Sequence, residues 1–234
     1  MFSYYGSKSK IAKLYPEPKY RLIIEPFAGA ANYSLLHAPG RDVVLCEKSE
    51  DVFLCWKWLQ KATEDDILSL PIPASKEPIP QLEPRGKSVF LAFTMNQGTA
   101  KPRKSAGGMQ GCSFKSVTKR LQKAADRLSI VRDWDIRLGS YEMLPDVEAT
   151  WYIDPPYIRE KWNEYKFGPK TIDYESLARW CKSRKGQVIV AENDSATWLP
   201  FRPLVTCAGQ RSTSTLRNEG IWTNDSPDRR TIRA

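Results

Sequence analysis

Short apolar runs alternate with amphipathic segments in the first part of the chain. An apolar run at 21–27 is followed by small residues and then by a helix-like segment that begins near Tyr33. A second run at 42–47 ends on an acid, and Ser49 can cap the helix that follows it. Two strand–helix units in succession predict a parallel sheet with right-handed crossovers.

The same pattern returns in the second half of the chain. Apolar runs predict strands at 135–138, 150–153 and 187–192, and a capped helix is predicted over 173–181. The last apolar segments, around 204–207 and 220–223, are predicted to close the sheet as antiparallel strands. The fold class expected from this order is α/β.

Between these two parts the alternation breaks. Residues 71–86 contain five prolines, too many for a helix or a central strand. Residues 98–113 combine glycines with basic side chains, which predicts a loop that becomes ordered on a ligand. The apolar spacing from Val117 to Val131 then predicts an amphipathic helix with a basic outer face.

The excess positive charge of the chain lies in this middle part. The 234 residues include 36 Lys and Arg against 27 Asp and Glu, a net charge of +9. Residues 76–132 hold twelve basic and three acidic residues, which accounts for the whole excess. A neutral scaffold with a basic insert is typical of a polyanion-binding protein. We therefore predict a scaffold domain over 1–70 and 131–234, and a polyanion-binding insertion over 71–130.

Composition excludes several classes of protein. No apolar run has the length of a membrane span or of a signal peptide, so a cytoplasmic protein without membrane contact is expected. His37 is the only histidine, which argues against histidine-dependent hydrolases. The five scattered cysteines include no Cys-x-x-Cys pair, so we expect reduced thiols and no metal site.

The small-residue turn at 27–32 is the first candidate for ligand binding. Its side chains would let a ligand approach the backbone, and the helix start would supply free N–H groups. Glu47 ends the next strand, where a doubly wound fold places an acid that binds ribose hydroxyls. The turn has neither the Gly-x-Gly-x-x-Gly pattern of dinucleotide-binding proteins nor the lysine of a phosphate-binding loop. The alternative is a tight strand–helix connection that binds no ligand.

The Asp-Pro-Pro-Tyr motif at 154–157 is more specific. Two prolines after an apolar strand stiffen its exit and leave carbonyl groups without partners in the chain. The motif thus holds a carboxylate, an open carbonyl and an aromatic face at the carboxyl edge of the sheet. This set suits a planar base with an exocyclic amine: Asp154 and the Pro155 carbonyl accept N–H groups while Tyr157 stacks on the ring. The alternative is a proline-rich strand terminator.

In this order, the motifs resemble those of the S-adenosylmethionine-dependent DNA adenine methyltransferases, in the group whose bacterial members mark GATC sites. Residues 4–10 are similar to the family's N-terminal aromatic-Gly-Gly-Lys segment, with Ser7 in place of the second glycine. Residues 25–29, Glu-Pro-Phe-Ala-Gly, match the first cofactor motif, and Glu47 matches the ribose-binding acid. The Asp-Pro-Pro-Tyr motif matches without change.

The resemblance implies a class I methyltransferase fold, Rossmann-like and mostly parallel with an antiparallel final strand. It makes 1–70 and 131–234 the catalytic domain, and 71–130 an inserted basic region for target recognition and DNA binding. It implies S-adenosylmethionine as cofactor, duplex DNA as partner, and a target adenine flipped out of the stack. The implied catalytic residues are Asp154, Pro155, Pro156 and Tyr157. The implied cofactor-binding residues are Tyr5, Gly6, Lys8, Glu25, Pro26, Phe27, Ala28, Gly29, Glu47, Ser140, Tyr141 and Asp154.

The basic insertion is expected to contact DNA. The phosphate-binding residues and base readers expected there are Arg85, Lys87, Asn96, Gln97, Lys101, Arg103, Lys104, Lys115 and Lys119. Phe90 and Phe93, interleaved with these, are expected to stack on bases.

Two departures from the family pattern keep other functions open. Ser140 stands where the family has an acid that helps hold the adenine of the cofactor, so this contact is weakened or passes to Tyr141. The short insertion lacks the base-contacting segment of the GATC readers. Methylation of the cytosine amino group, of RNA adenine or of protein glutamine uses a similar site, and a decayed, non-catalytic DNA-binding module is the alternative of a different class.

Overall fold

One mixed sheet forms the centre of the protein. The computed structural model describes residues 1–107, 113–158, 165–208 and 216–225. Within these ranges the sheet has seven strands: β1 (Leu22–Glu25), β2 (Asp42–Glu47), β3 (Asp135–Leu138), β4 (Ala149–Ile153), β5 (Gly186–Asn193), β6 (Arg202–Ala208) and β7 (Leu216–Thr223).

The strands lie side by side in the order β3, β2, β1, β4, β5, β7, β6. The first five in this order are parallel, and β7 runs antiparallel to both β5 and β6. Ile23 of β1 pairs with Val43 on one side and with Thr150 on the other. The predicted α/β class, the parallel units and the antiparallel closure of the sheet are therefore confirmed.

Seven α-helices accompany the strands in the described ranges: α1 (Asn32–His37), α2 (Glu50–Leu59), α3 (Glu64–Leu68), α4 (Arg85–Met95), α5 (Phe114–Ala125), α6 (Leu128–Val131) and α7 (Tyr174–Ser183). Side-chain caps fix several of the starts. Thr63 and Asp66 form a capping box at α3, and the Asp173 carboxylate accepts from two backbone N–H groups at the start of α7.

Apolar side chains pack on both faces of the sheet. Successive residues of a strand point to opposite faces, so Ile23 lies in one cluster and Ile24 in the other. The first cluster joins the sheet to α1, α2, α4 and α5, and the second joins it to α7. Burial of both faces explains the near-continuous apolar strands of the sequence.

Helix α4 was not predicted, and its place in the core overturns one expectation. Phe90 and Phe93, expected to stack on bases, are fully buried, and the Phe93 ring stacks on that of Phe2. Gly86 sits where α4 crosses α2, so closely that a Cβ there would lie 2.2 Å from the Leu54 carbonyl oxygen. Part of the insertion thus shares the core of the catalytic domain, and the DNA-recognition role of residues 71–130 stays a prediction.

The glycine-rich loop is only partly within the described residues, since 108–112 lie outside them. Its first part pairs with the proline-rich segment: Ile79 N–H donates to the Lys104 carbonyl, and Ala106 N–H donates to the Glu77 carbonyl. These backbone hydrogen bonds fix the loop up to Gly107. No helix among the described residues has the length and apolarity to cross a membrane.

Candidate functional site

A cavity opens at the carboxyl ends of β1, β2 and β4. The strand order reverses between β1 and β4, and open α/β sheets bind ligands at such a point. All twelve residues predicted to bind the cofactor line this cavity: Tyr5, Gly6, Lys8, Glu25, Pro26, Phe27, Ala28, Gly29, Glu47, Ser140, Tyr141 and Asp154. Segments from 5–8 to 154 in the sequence therefore meet in one place; their roles toward a ligand stay predictions.

The turn between β1 and α1 is held by hydrogen bonds on several sides. Gly29 and Ala31 both have left-handed backbone angles, with φ of 44° and 45°. The indole of Trp56 donates to the Gly29 carbonyl at 2.9 Å, and the Gly29 N–H donates to Glu47 Oε2 at 3.0 Å. The N–H groups expected to be free for a ligand are therefore partly used inside the protein. The turn therefore lines the cavity with small side chains on a fixed backbone.

Two buried glutamates stand on the β1 and β2 side of the cavity. Glu47 Oε1 accepts from the Ser49 N–H at 2.8 Å, and burial raises the pKa of the Glu47 carboxyl. Glu25 Oε1 accepts from the Ser34 N–H at 2.7 Å, and burial raises the pKa of Glu25 to about 8. Buried carboxylates are costly unless a positive group pairs with them. The Glu25 carboxyl is mostly protonated at neutral pH, and a positively charged ligand group beside it would stabilise its ionised form and pair with it.

The Asp-Pro-Pro-Tyr motif leaves β4 toward the same cavity. Lys8 Nζ lies 2.9 Å from Asp154 Oδ1, donates to the Gly6 carbonyl at 3.0 Å, and lies 4.7 Å from the centre of the Tyr157 ring. Burial raises the pKa of Asp154 to about 6, although the Lys8 ammonium opposes this. Burial alone would lower the pKa of Lys8, but Asp154 and Glu219 outweigh it and raise that pKa. The pair therefore keeps Asp154 mostly ionised at neutral pH.

Two acids in the last strands of the sheet, not predicted from the sequence, border the motif. The hydroxyl groups of Tyr15 and Tyr157 both donate to Glu219 Oε1, the former at 2.5 Å. On β5, Glu192 Oε2 accepts from the Ile158 N–H at 3.1 Å, and burial raises the pKa of Glu192 to about 7. The available signals were an acid near the end of the apolar strand β5 and an acid in β7, which mixes polar and apolar residues; sequence reasoning used neither.

The segment after β3 supplies the edge of the cavity where the family has its adenine-binding acid. Tyr141 packs on Phe27 with ring centres 5.5 Å apart. The Ser140 hydroxyl donates to Glu142, which also lines the cavity. A carboxylate of the cavity lining thus stands two residues after Ser140, which the sequence pattern did not reveal.

Aromatic and basic residues form the outer rim of the cavity, which consists of Lys48, Tyr165, Lys166 and Phe167. Lys48 Nζ lies 5.0 Å from the centre of the Phe167 ring, and the Tyr165 ring packs edge-on against Tyr5 at 5.5 Å. Sequence reasoning missed this rim because no motif marks it.

Most of the residues predicted to contact nucleic acid lie on the surface of the protein. Gln97, Lys101, Arg103, Lys104, Lys115 and Lys119 are exposed, and Lys87 is half-buried. Arg85 is exposed as well, but its guanidinium is paired with Asp51 of α2. The Tyr5 N–H donates to the Thr99 carbonyl at 3.0 Å, which fixes the start of the basic loop beside the cavity.

The prediction for Asn96 as a base reader is wrong. Its side chain is buried, and its amide donates to the carbonyl groups of Ala92 at 3.0 Å and Ser105 at 3.1 Å. These bonds end α4 and fasten the loop that follows. Asn96 thus acts inside the protein, because the helix that sequence reasoning missed turns it inward.

Comparisons with known proteins give only distant structural likenesses. No model of a known protein family matches the chain, and no curated protein matches it. Among solved structures, the chain is similar to yhhF of Escherichia coli, proposed to be a methyltransferase, with 9% identity over 85% of this chain and 74% of that one and a TM-score of 0.32. It is also similar to a conserved hypothetical protein of Streptococcus pyogenes, with 12% identity over 87% and 86% of the two chains and a TM-score of 0.34.

Proposed function

We propose that the protein transfers a methyl group from S-adenosylmethionine to the exocyclic amino group of adenine in duplex DNA, at a specific short sequence. One observation carries the proposal. The Asp-Pro-Pro-Tyr motif follows β4 and its Asp154 lines the same cavity as the Glu-Pro-Phe-Ala-Gly turn after β1. An acceptor for an amine and a site for a cofactor are therefore adjacent at the switch point of the sheet.

The residues of the cavity fit S-adenosylmethionine. The cofactor carries a positive sulfonium and a positive ammonium group, and the buried carboxylate of Glu25 favours positive charge. Glu47 at the end of β2 would bind the ribose hydroxyls, and Glu142 with Tyr141 would hold the adenine. When bound, the cofactor supplies an electrophilic methyl group.

The motif would orient the target amine. The lone pair of an exocyclic amine is delocalised into the ring, which makes the nitrogen a poor nucleophile. Hydrogen bonds from its two N–H groups to the Asp154 carboxylate and the Pro155 carbonyl would favour a pyramidal nitrogen, and Tyr157 would stack on the base. Orientation of two reactants supplies about 7–11 kcal/mol in favourable cases. Asp154 would hold the amine nitrogen toward the methyl carbon that the cofactor supplies, and its carboxylate or water would then take up one amine proton.

The exposed basic residues support duplex DNA as the partner. Lys101, Arg103 and Lys104 extend from the segment that Thr99 ties to the cavity wall at Tyr5. Phosphate contacts there would place the duplex over the cavity, and the target base would leave the stack to reach Asp154.

The test is transfer of labelled methyl from S-adenosylmethionine to unmethylated DNA, followed by digestion to nucleosides. We expect methyladenine with the wild type, and no product with Asp154→Ala while DNA binding remains nearly intact. Asp133→Asn, at an exposed carboxylate before β3, is the matched control and should leave the yield unchanged.

The other results each contradict a different part of the proposal. Methylcytosine as the product would support the proposed cofactor and contradict adenine as the target base. Product formed only on RNA would contradict duplex DNA as the partner. Absence of both product and cofactor binding in calorimetry would refute methyl transfer and favour a non-catalytic DNA-binding module.

A further inference from the structure

We propose that Glu219 on β7 is a positioning residue that holds Tyr157 and Lys8 in place beside Asp154. The proposal rests on the methyl-transfer function of this site. Glu219 belongs to none of the motifs from which the site was predicted. It lies on the antiparallel strand inserted between β5 and β6, which brings it next to the motif after β4.

Glu219 joins three parts of the chain through one carboxylate oxygen. Its Oε1 accepts from the hydroxyl groups of Tyr15 and Tyr157 and lies 3.8 Å from Lys8 Nζ. The side chain is only 9% exposed, so little water competes for these contacts. Hydrogen bonds to an ionised acceptor are stronger than those between neutral groups. The charge on Glu219 is therefore what holds the three donors together.

These contacts fix the ring of Tyr157 at two points. Its hydroxyl group is held by Glu219, and Lys8 Nζ lies 4.7 Å from the ring centre, within the range of a cation–π interaction. Lys8 is held in turn by Asp154 at 2.9 Å. Without the Glu219 charge, both the ring expected to stack on the target base and the ammonium beside the acceptor carboxylate lose a restraint.

Removing the charge of Glu219 has a second effect, which acts on the pKa of Asp154 instead of on the position of Tyr157 and Lys8. Glu219 raises the pKa of Asp154 by repulsion, after the larger contribution from burial. Among the described residues, the other groups that act on the Asp154 carboxylate are the ammonium of Lys8, the carboxyl groups of Glu25 and Glu192, and the hydroxyl groups of Tyr15, Tyr152 and Tyr157. Glu219→Gln should therefore shift the acid limb of the pH–rate profile to lower pH while it lowers the rate. Hydration of a loosened site would lower the pKa of Asp154 as well. The double-variant comparison and the tyrosine resonances described below therefore separate positioning from loosening.

The kinetic experiment compares Glu219→Gln with Glu148→Gln, which removes an exposed carboxylate before β4. For Glu219→Gln we expect kcat to fall about 10- to 100-fold, as for a misplaced reacting group, with KM for DNA little changed. In a Tyr157→Phe background the same substitution should cost much less, because the two changes remove one interaction. An unchanged kcat, or full additivity of the two variants, would overturn the proposal.

A second experiment needs no methyl transfer. Tyrosines labelled with ¹³C at Cζ are assigned by NMR with Tyr15→Phe and Tyr157→Phe. Both resonances should move in Glu219→Gln and stay in place in Glu148→Gln; resonances that do not move contradict the proposal whatever the kinetics show. A wild type without activity whose resonances respond as expected would refute the proposed function and retain the positioning role.

Discussion

Lys8→Met removes the only cation that the structure places within ion-pair distance of Asp154 in the described part of the chain. Methionine keeps an unbranched apolar side chain in the buried position of Lys8 and deletes the charge 2.9 Å from Asp154 Oδ1. The carboxylate then stays in its buried place without the partner that opposes protonation. We expect the variant to fold, with Asp154 taking up a proton near neutral pH.

The size of the effect follows from burial. Removing one partner of a buried ion pair costs about 3–5 kcal/mol, and the 20% exposure of the Asp154 side chain favours the lower end. At 1.36 kcal/mol per pKa unit, about 3 kcal/mol moves the acid limb of the pH–rate profile upward by about two pH units. Since the wild-type pKa of Asp154 is about 6, the ionised fraction at pH 7 falls about tenfold in the variant.

The assay is single-turnover methyl transfer from about pH 5.5 to pH 9.5 with saturating cofactor. The rate of Lys8→Met should be about tenfold below the wild type at pH 7 and recover as the pH rises. Lys10→Met, at an exposed position, is the control. An acid limb that stays in place would refute the ion-pair argument. A rate that never recovers, with weakened cofactor binding in calorimetry, would assign Lys8 to the cofactor instead.

Three further predictions concern other parts of the molecule. Glu25 binds its proton more tightly in the folded protein, with a pKa of about 8, so the wild type loses stability as pH rises from about 5 to about 8. The free energy of unfolding, measured in urea, should therefore rise for Glu25→Gln relative to the wild type by up to about 1.4 kcal/mol for each pH unit in this range. A difference between the two proteins that does not change with pH contradicts this. Gly86→Ala should lower the free energy of unfolding by about 1–3 kcal/mol, because its Cβ would lie 2.2 Å from the Leu54 carbonyl oxygen. If unfolding in urea is unchanged, α4 and α2 can move apart without cost, and this argument is wrong. Arg103→Glu should weaken DNA binding and reduce its salt dependence in fluorescence anisotropy, whereas Lys182→Glu on α7 should not; equal effects would exclude a local DNA surface.

Apolar runs and amphipathic spacing predicted the strands and several helices, but the short helix α3 and the buried helix α4 were missed. Strand β2 and helix α7 were predicted from their apolar spacing and their acidic or capping ends. Nine of the eleven residues of α4 are buried, so the helix has no polar face and no helical period in its hydrophobicity. Its phenylalanines were consequently assigned to ligand binding.

The cofactor side of the site was predictable because each of its residues lies in a local motif. Glu219 and Tyr15 were not, because their approach depends on which strands are neighbours and on the register of β7. Glu219 pairs with Asn193 across β5 and β7, and a shift of one residue would turn it to the opposite face. Strand register is a property of the assembled sheet, which periodicity alone does not contain.

The same long-range contacts decide when the site can form during synthesis of the chain. Tyr15 and Glu219 are 204 residues apart, and Lys8 and Asp154 are 146 apart. At about 5–20 residues per second, Glu219 leaves the ribosome roughly 10–40 s after Tyr15. Until then the aromatic N-terminal segment lacks both its buried acceptor and the last strands of its sheet. Nascent chains would expose this apolar surface before the site exists, so truncated products are expected to aggregate and to carry no partial activity.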